Sequence, residues 1–235
     1  MRSLRPWLLI AILPWLAGCP TIYSDQPLGD EVAVLDPAAI DGFWLAGDYL
    51  FGVRVVDAQK GRLIYWGAAN FRKSTPDATV QCEPPQHIDS SCYTDKSHSD
   101  TGTCTLRHHH QKFAIGSERS VDADLYFPEE RRPDESVYAT TMVWLGDLKS
   151  EVGSSIVVRI WQDDLHRRLK ELVQKGALPG RIESSGRVVL GALKPEHYDV
   201  LFSQESGIID WRPPSLVFMK LPPQLDPCKK RENPK

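Results

Sequence analysis

Nothing after residue 16 approaches the roughly 20 consecutive apolar residues that a membrane-spanning helix needs, so the body of the chain carries no expected span. Charge of one sign is not in excess either: 28 Lys and Arg face 31 Asp and Glu, a net charge of −3. A mildly acidic chain without a basic face gives no electrostatic basis for nucleic acid as a partner. The short motifs that announce chemistry are missing as well. There is no Gly-x-Ser-x-Gly elbow, no His-Glu-x-x-His, no phosphate-cradling glycine loop, no Ser-x-x-Lys and no Cys-x-x-Cys. Their absence removes the motif-based case for the common hydrolases, metalloproteases and nucleotide-binding enzymes. No internal repeat is visible.

What is present begins at the N-terminus. Arg2 and Arg5 stand in a first segment without acids, residues 6–16 are almost wholly apolar, and Leu16-Ala17-Gly18-Cys19 follows. A charged start and an apolar stretch too short to span a bilayer make the pattern of an export signal. The four-residue motif resembles the lipobox of bacterial lipoproteins. In that family the cysteine sulfur receives a diacylglycerol thioether and a dedicated peptidase then cleaves before it, the small residues letting the backbone approach. The resemblance implies a signal peptide over residues 1–18, Cys19 as the lipidated first residue of the mature protein, and the lipid bilayer as a partner. Members of this family usually reach the periplasmic leaflet of the outer membrane unless the next residue, typically Asp, retains them at the inner membrane. Here that residue is Pro20, so the outer membrane is expected.

Composition divides the rest. Residues 19–38 contain Pro20, Pro27 and Pro37 among Asp, Gly and Ser and read as a flexible tether. Residues 222–235 carry four prolines and the run Lys229-Lys230-Arg231 and read as a disordered, solvated tail. Between them, residues 39–221 are long enough for a single globular domain. A polar stretch at 72–111, poor in long apolar residues, reads as an insertion within it.

Inside the domain the periodicities are mostly those of strands. Residues 43–45, 50–56 and 62–68 alternate, with a turn at 58–61 that makes the second and third a hairpin. Residues 138–145, 155–161, 187–193 and 216–221 add further strands. Leu165, Leu169, Leu172 and Val173 fall on one helical stripe, so a helix is expected over 165–175, with Asp163 and Asp164 at its start and Gly176 past its end. Pro195 opens a short helix over 195–203. The expected class is α+β: a strand-dominated antiparallel sheet or small barrel with two helices laid against it. Gly42-Phe43-Trp44 resembles the Gly-x-Trp of the first lipocalin strand, which implies a lipocalin-like barrel. A helix at residue 165 followed by more strand departs from that family's order.

Apart from Cys19 there are four cysteines, Cys82, Cys92, Cys104 and Cys228. In an oxidising compartment an even number reads as disulfides, with three connectivities open. The same region holds His87, His98, His108, His109 and His110, and imidazole and thiolate are ligands for zinc or copper. Ten- and twelve-residue cysteine spacings are not those of a zinc module. If residues 106–113 form a strand, His108 and His110 share one face and His109 lies on the other, so His108 and His110 are the only metal candidates and no cofactor is expected. For catalysis, Asp48, Asp57, Asp122, Asp124, His166, His197 and the Ser-containing turns at 153–155 and 184–186 have no patterned partners and read as caps, turns and surface. Trp44, Trp66, Trp144, Trp161 and Trp211 read as core, or as the lining of an aromatic pocket.

These features point to a non-enzymatic lipoprotein that binds something or supports the envelope. A lipocalin-like small-ligand carrier is the alternative, and a periplasmic metal-binding protein a third. The acylation site is directly testable. Cys19→Ser should take up no labelled palmitate and accumulate as uncleaved precursor; label entering that variant would refute the assignment.

Overall fold

The computed structural model describes residues 20–71, 79–85, 102–115, 119–129, 136–147, 154–203, 205–209 and 216–229. Its framework is an eight-stranded antiparallel barrel in simple meander order. The staves are β3 (Gly42–Ala46), β4 (Tyr49–Asp57), β5 (Arg62–Asn70), β6 (Gly102–Ile115), β7 (Arg119–Pro128), β9 (Met142–Asp147), β10 (Ser155–Ile160) and β13 (Leu216–Lys220). Each pairs with the next, and β13 returns to β3 through Met219↔Leu45 and Lys220↔Trp44, closing the ring. Closure pairs every stave with a neighbour on both sides over at least part of its length. The expected α+β class with a small antiparallel barrel is therefore the observed one.

The β4–β5 hairpin lies where alternation and turn residues put it. Gly61 ends its turn at φ +61°, and a Cβ there would sit 2.7 Å from the Leu106 carbonyl oxygen and 2.8 Å from that of Ala33. Gly52 is needed for a different reason: its bare backbone lies under the Trp66 ring, where a Cβ would collide. The expected strand over 138–145 divides at Thr141. Residues Tyr138–Thr140 form β8, which belongs to a second sheet, and β9 begins the barrel stave after the break.

That second sheet runs β11 (Gly180–Ile182), β12 (Val188–Leu190), β1 (Ile22–Ser24), β8. With helices α2 (Leu165–Gln174) and α3 (Pro195–Phe202) it covers the outer face of β7 and β9. The stripe of α2 is used as its periodicity suggests, with Leu165 and Leu169 buried and Leu172 and Val173 packed at the margin. Arg168 is not simply solvated: its Nε donates to Asp164 (2.8 Å) and its Nη1 to the Ser206 carbonyl (3.3 Å). Trp161 is fully enclosed in this layer, donating from Nε1 to the Thr140 carbonyl (2.8 Å).

Three expectations change. Residues 20–38 are not a tether: Ile22 is wholly buried and β1 sits between β8 and β12. The prolines do not forbid this, because the strand is only three residues long and ends before Pro27. Pro37 occupies the first turn of α1 (Pro37–Ile40), where its missing N–H costs nothing, and Asp36 caps that turn by accepting from the Ala38 N–H (2.9 Å). The insertion expected over 72–111 ends early, since residues 102–111 are barrel wall in β6. Residues 102–110 have few long apolar residues, and of their side chains Cys104 and Leu106 enter the barrel core.

The third change is the C-terminal segment. It is held, through residue 229, by a 3-10 turn at Pro223–Leu225 and a Cys82–Cys228 disulfide (Cα–Cα 5.7 Å). The segment and residues 79–85 together cover the outer face of β3–β5, where Trp66 Nε1 donates to the Gln81 carbonyl (2.9 Å). Cys104 is also disulfide-bonded, to a partner outside the described residues, where Cys92 also lies.

Burial on α2 separates its two faces energetically. Leu169→Ala should destabilise the protein by about 2–5 kcal/mol through lost burial and a residual cavity. The exposed Lys170→Ala should stay within about 0.5 kcal/mol of wild type. Urea melts of the two variants decide the matter, and a silent Leu169→Ala would contradict the packing.

Candidate functional site

Strand alternation turns one set of side chains into the barrel. Leu63, Leu106, Tyr126, Ile156, Val158 and Trp44 form its buried floor. The floor lies at the end where α1 sits. There Trp44 Nε1 donates to the Ile40 carbonyl (2.9 Å), Ser154 Oγ to that of Ala39 (3.0 Å) and Lys220 Nζ to that of Ala38 (2.7 Å). Burial pushes the Lys220 ammonium pKa down, against the pull of Asp41 and Asp36. Three polar side chains thus fasten one short helix across the barrel, and that end is plugged.

Toward the opposite end the inward side chains are only partly buried. Phe51, paired with Trp44, lies against Tyr49 (centroids 6.3 Å apart) and against Phe218 (5.5 Å), which pairs with Ile156 of the floor, and Tyr65, Trp144, Met142 and Leu216 are likewise partly exposed. Gly102, registered opposite Tyr65, makes room for that ring: a Cβ would stand 2.9 Å from the Tyr65 hydroxyl oxygen. These aromatic and aliphatic side chains line the inner wall of the barrel beside the fully buried set. The wall also carries polar atoms, the Tyr49, Tyr65 and Tyr126 hydroxyls and two ring nitrogens. Among them Trp144 Nε1 and His108 Nδ1 are buried without a hydrogen-bond partner. They flank Tyr126 in one row across β6, β7 and β9.

The histidine run divides as strand geometry requires. His108 and His110 share the inner face and His109 points outward. His108 Nε2 is 3.2 Å from Glu31, and His110 Nδ1 is 2.8 Å from Asp124. Each imidazole has its own carboxylate, and no three His, Cys, Asp or Glu side chains gather among the described residues. His87, His98 and Cys92 lie outside those residues, as do Cys19 and Trp211.

Sequence reasoning missed His109. It is 6 % exposed, its ring stacks on Tyr198 (4.2 Å between centroids), and Nδ1 is 2.5 Å from Asp30 Oδ2. The Tyr198 hydroxyl oxygen accepts the Gly29 N–H (2.8 Å). No sequence signal joins residues separated by 79 and 169 positions; β2 (Glu31–Val32) pairing with β6 brings Asp30 to His109, and the packing of α3 brings Tyr198. An Asp–His pair can orient a general base. Here the partners Asp30 and Tyr198 line a neighbouring cleft together with Gln26, Leu28, Arg107 and Leu193, whereas His109 itself is not among the lining residues. At about 180 Å³ that cleft is below the usual size of a ligand pocket. The cluster pins the N-terminal segment to the barrel.

Asp57, His197 and His166 resolve into local roles. Asp57 accepts the Lys60 N–H (3.2 Å), which lowers its pKa. His197 Nδ1 accepts the Lys194 N–H (2.9 Å) and caps α3, and His166 is exposed. Of the tryptophans, Trp44 and Trp144 face the barrel interior, whereas Trp66 and Trp161 pack outside it. The chain matches no protein-family model, no curated protein and no solved structure.

Burial raises the Tyr198 pKa above the ordinary tyrosine value, the Gly29 hydrogen bond opposing it only in part. A phenol held neutral on folding contributes stability in full below about pH 10, and loses it as pH rises through the folded-state pKa. Tyr198→Phe should therefore cost about 1–3 kcal/mol at neutral pH by orphaning the Gly29 N–H. It should also flatten the loss of stability above pH 10. Equal alkaline slopes in denaturant melts of the two proteins would contradict the burial argument.

Proposed function

We propose that the protein is a lipid-anchored periplasmic lipoprotein, attached through Cys19, whose barrel binds one small, largely apolar molecule at the end opposite α1. The observation that carries the binding reading is the partly exposed aromatic wall of Tyr49, Phe51, Tyr65 and Phe218 beside the fully buried side chains of the barrel. A closed antiparallel barrel of eight strands has an interior wide enough either to fill with side chains or to hold one small ligand. Here one end takes the first course and the other is lined for the second. The unpartnered Trp144 Nε1 favours a ligand that also carries a hydrogen-bond acceptor, hence an amphiphile.

Anchoring rests on the charged start, the short apolar stretch and the Leu16-Ala17-Gly18-Cys19 motif, and Pro20 favours the outer membrane. The Gly42-Phe43-Trp44 likeness to lipocalins gains a physical context, because Trp44 bonds the helix that plugs the barrel. The two helices between β10 and β13 set this chain apart from that family's order.

The test is titration of the folded protein with a neutral naphthylamine fluorophore. Saturable enhancement at about one site per chain is expected. Phe218→Arg, at a partly exposed position, should weaken it at least tenfold, about 1.4 kcal/mol, while the thermal transition stays cooperative. Non-saturable enhancement, or affinity unchanged in Phe218→Arg, would remove the barrel as the binding site.

A further inference from the structure

We infer that the barrel end opposite α1 faces the lipid leaflet that holds the anchor, so that the ligand site opens onto the membrane rather than onto the aqueous periplasm. The inference rests on acylation of Cys19 and adds to it an orientation.

One residue, Pro20, separates Cys19 from Thr21, and Thr21 is already 8 % exposed and Ile22 fully buried. Two peptide steps reach at most about 7 Å. That is comparable with the headgroup layer on one side of a bilayer, about 5–8 Å from the difference between total and hydrocarbon thickness. An acylated Cys19 thus cannot hold the domain away from the surface. Whatever surrounds Thr21 must lie on the headgroups.

The strand register says what surrounds it. Ile22 pairs with Thr140 in β8, running antiparallel, so the chain leading back to Cys19 points the way β8 points as it approaches Thr141 and Met142. Met142 is the first residue of β9 and pairs with Ile160, the last of β10. Both lie at the end of their staves remote from Ser154, which touches α1. Val158, next along the inner face of β10, pairs with Leu216, the first residue of β13. The anchor and the partly exposed end of the barrel therefore share one side of the molecule. Apolar side chains are presented there: Ile160 is 40 % and Phe71 52 % exposed. Phe71 lies at that end because its N–H donates to the Asp48 carbonyl in the β3–β4 turn.

A bilayer is the occupant these facts select, because the covalent reach fixes it there before any recognition is needed. The experiment uses the acylated full chain, matured in its host and reconstituted into phosphatidylcholine vesicles with and without brominated acyl chains. Tryptophan is added singly at the barrel end, Ile160→Trp, or beside the plug, Val56→Trp, the latter site being 57 % exposed. Bromolipid should quench the emission added by Ile160→Trp several-fold more than that added by Val56→Trp. Inserting a Gly-Ser linker of about 20 residues, with a reach of roughly 25 Å, between Cys19 and Pro20 should abolish that difference while acylation persists.

Equal quenching at the two positions, or stronger quenching of Val56→Trp, in protein whose acyl mass is confirmed would overturn the orientation and leave the anchor standing. Absence of the acyl mass would overturn both. Naphthylamine binding in detergent is read separately, so failure of the ligand reading is distinguishable from failure of the orientation.

Discussion

The seam between β13 and β3 is short. Two paired positions join these strands, Met219↔Leu45 and Lys220↔Trp44, extended by the Leu221 N–H donating to the Phe43 carbonyl (2.7 Å). Without it, both strands would present unpaired backbone and the barrel would be an open sheet with an exposed apolar face. The same few residues also hold the plug: Trp44 and Lys220, paired across the seam, each donate to a carbonyl of α1. Closure of the wall and closure of the floor are thus one arrangement. Outside the seam, the C-terminal segment crosses to Cys82 and covers Trp66, so the outer layer on this side depends on the same strand being in place.

The opposite side of the barrel is built differently. The outward residues of β7 and β9, among them Leu125, Phe127 and Val143, are as buried as the inward ones because the second sheet and both longer helices lie on them. Those staves are apolar on two faces, whereas the outward positions of β4 pass from buried at Leu50 and Gly52 to exposed at Arg54 and Val56. One ring therefore mixes the sandwich-like and the solvent-facing kinds of strand. It also gives the N-terminal segment a place to dock, through Asp30, His109 and Tyr198.

What could be read from sequence follows this division. The β4–β5 hairpin and α2 were legible because their burial patterns are local: alternation with a glycine turn in one case, a four-residue stripe in the other. β1 was not, since three residues between two prolines carry no period, and its stability comes from partners more than a hundred positions away. β6 read as polar insertion because Thr, Arg and His occupy it, and the partners of its histidines, Asp30, Glu31 and Asp124, lie in other segments of the chain. For the candidate site, Trp44 was visible as part of a Gly-x-Trp string, but the wall of Tyr49, Phe51 and Phe218 became visible only when β13 was placed beside β3. Long-range closure, not residue type, assembles that wall.

The closed ring also constrains when the protein can fold. β3 waits for β13, β1 waits for β8 and β12, and Cys82 waits for a cysteine 146 positions later. Loop-closure entropy must be met before such distant pairings gain anything, and folds dominated by them form slowly. A chain threaded across a membrane from its N-terminus would bring out β3 with its edge bare and hold it so until nearly all of the polypeptide had followed. Its safe passage through that interval is a matter for whatever escorts unfolded chains on the far side, while the sequence-adjacent pairs β3–β4, β4–β5, β6–β7 and β9–β10 are able to form before then.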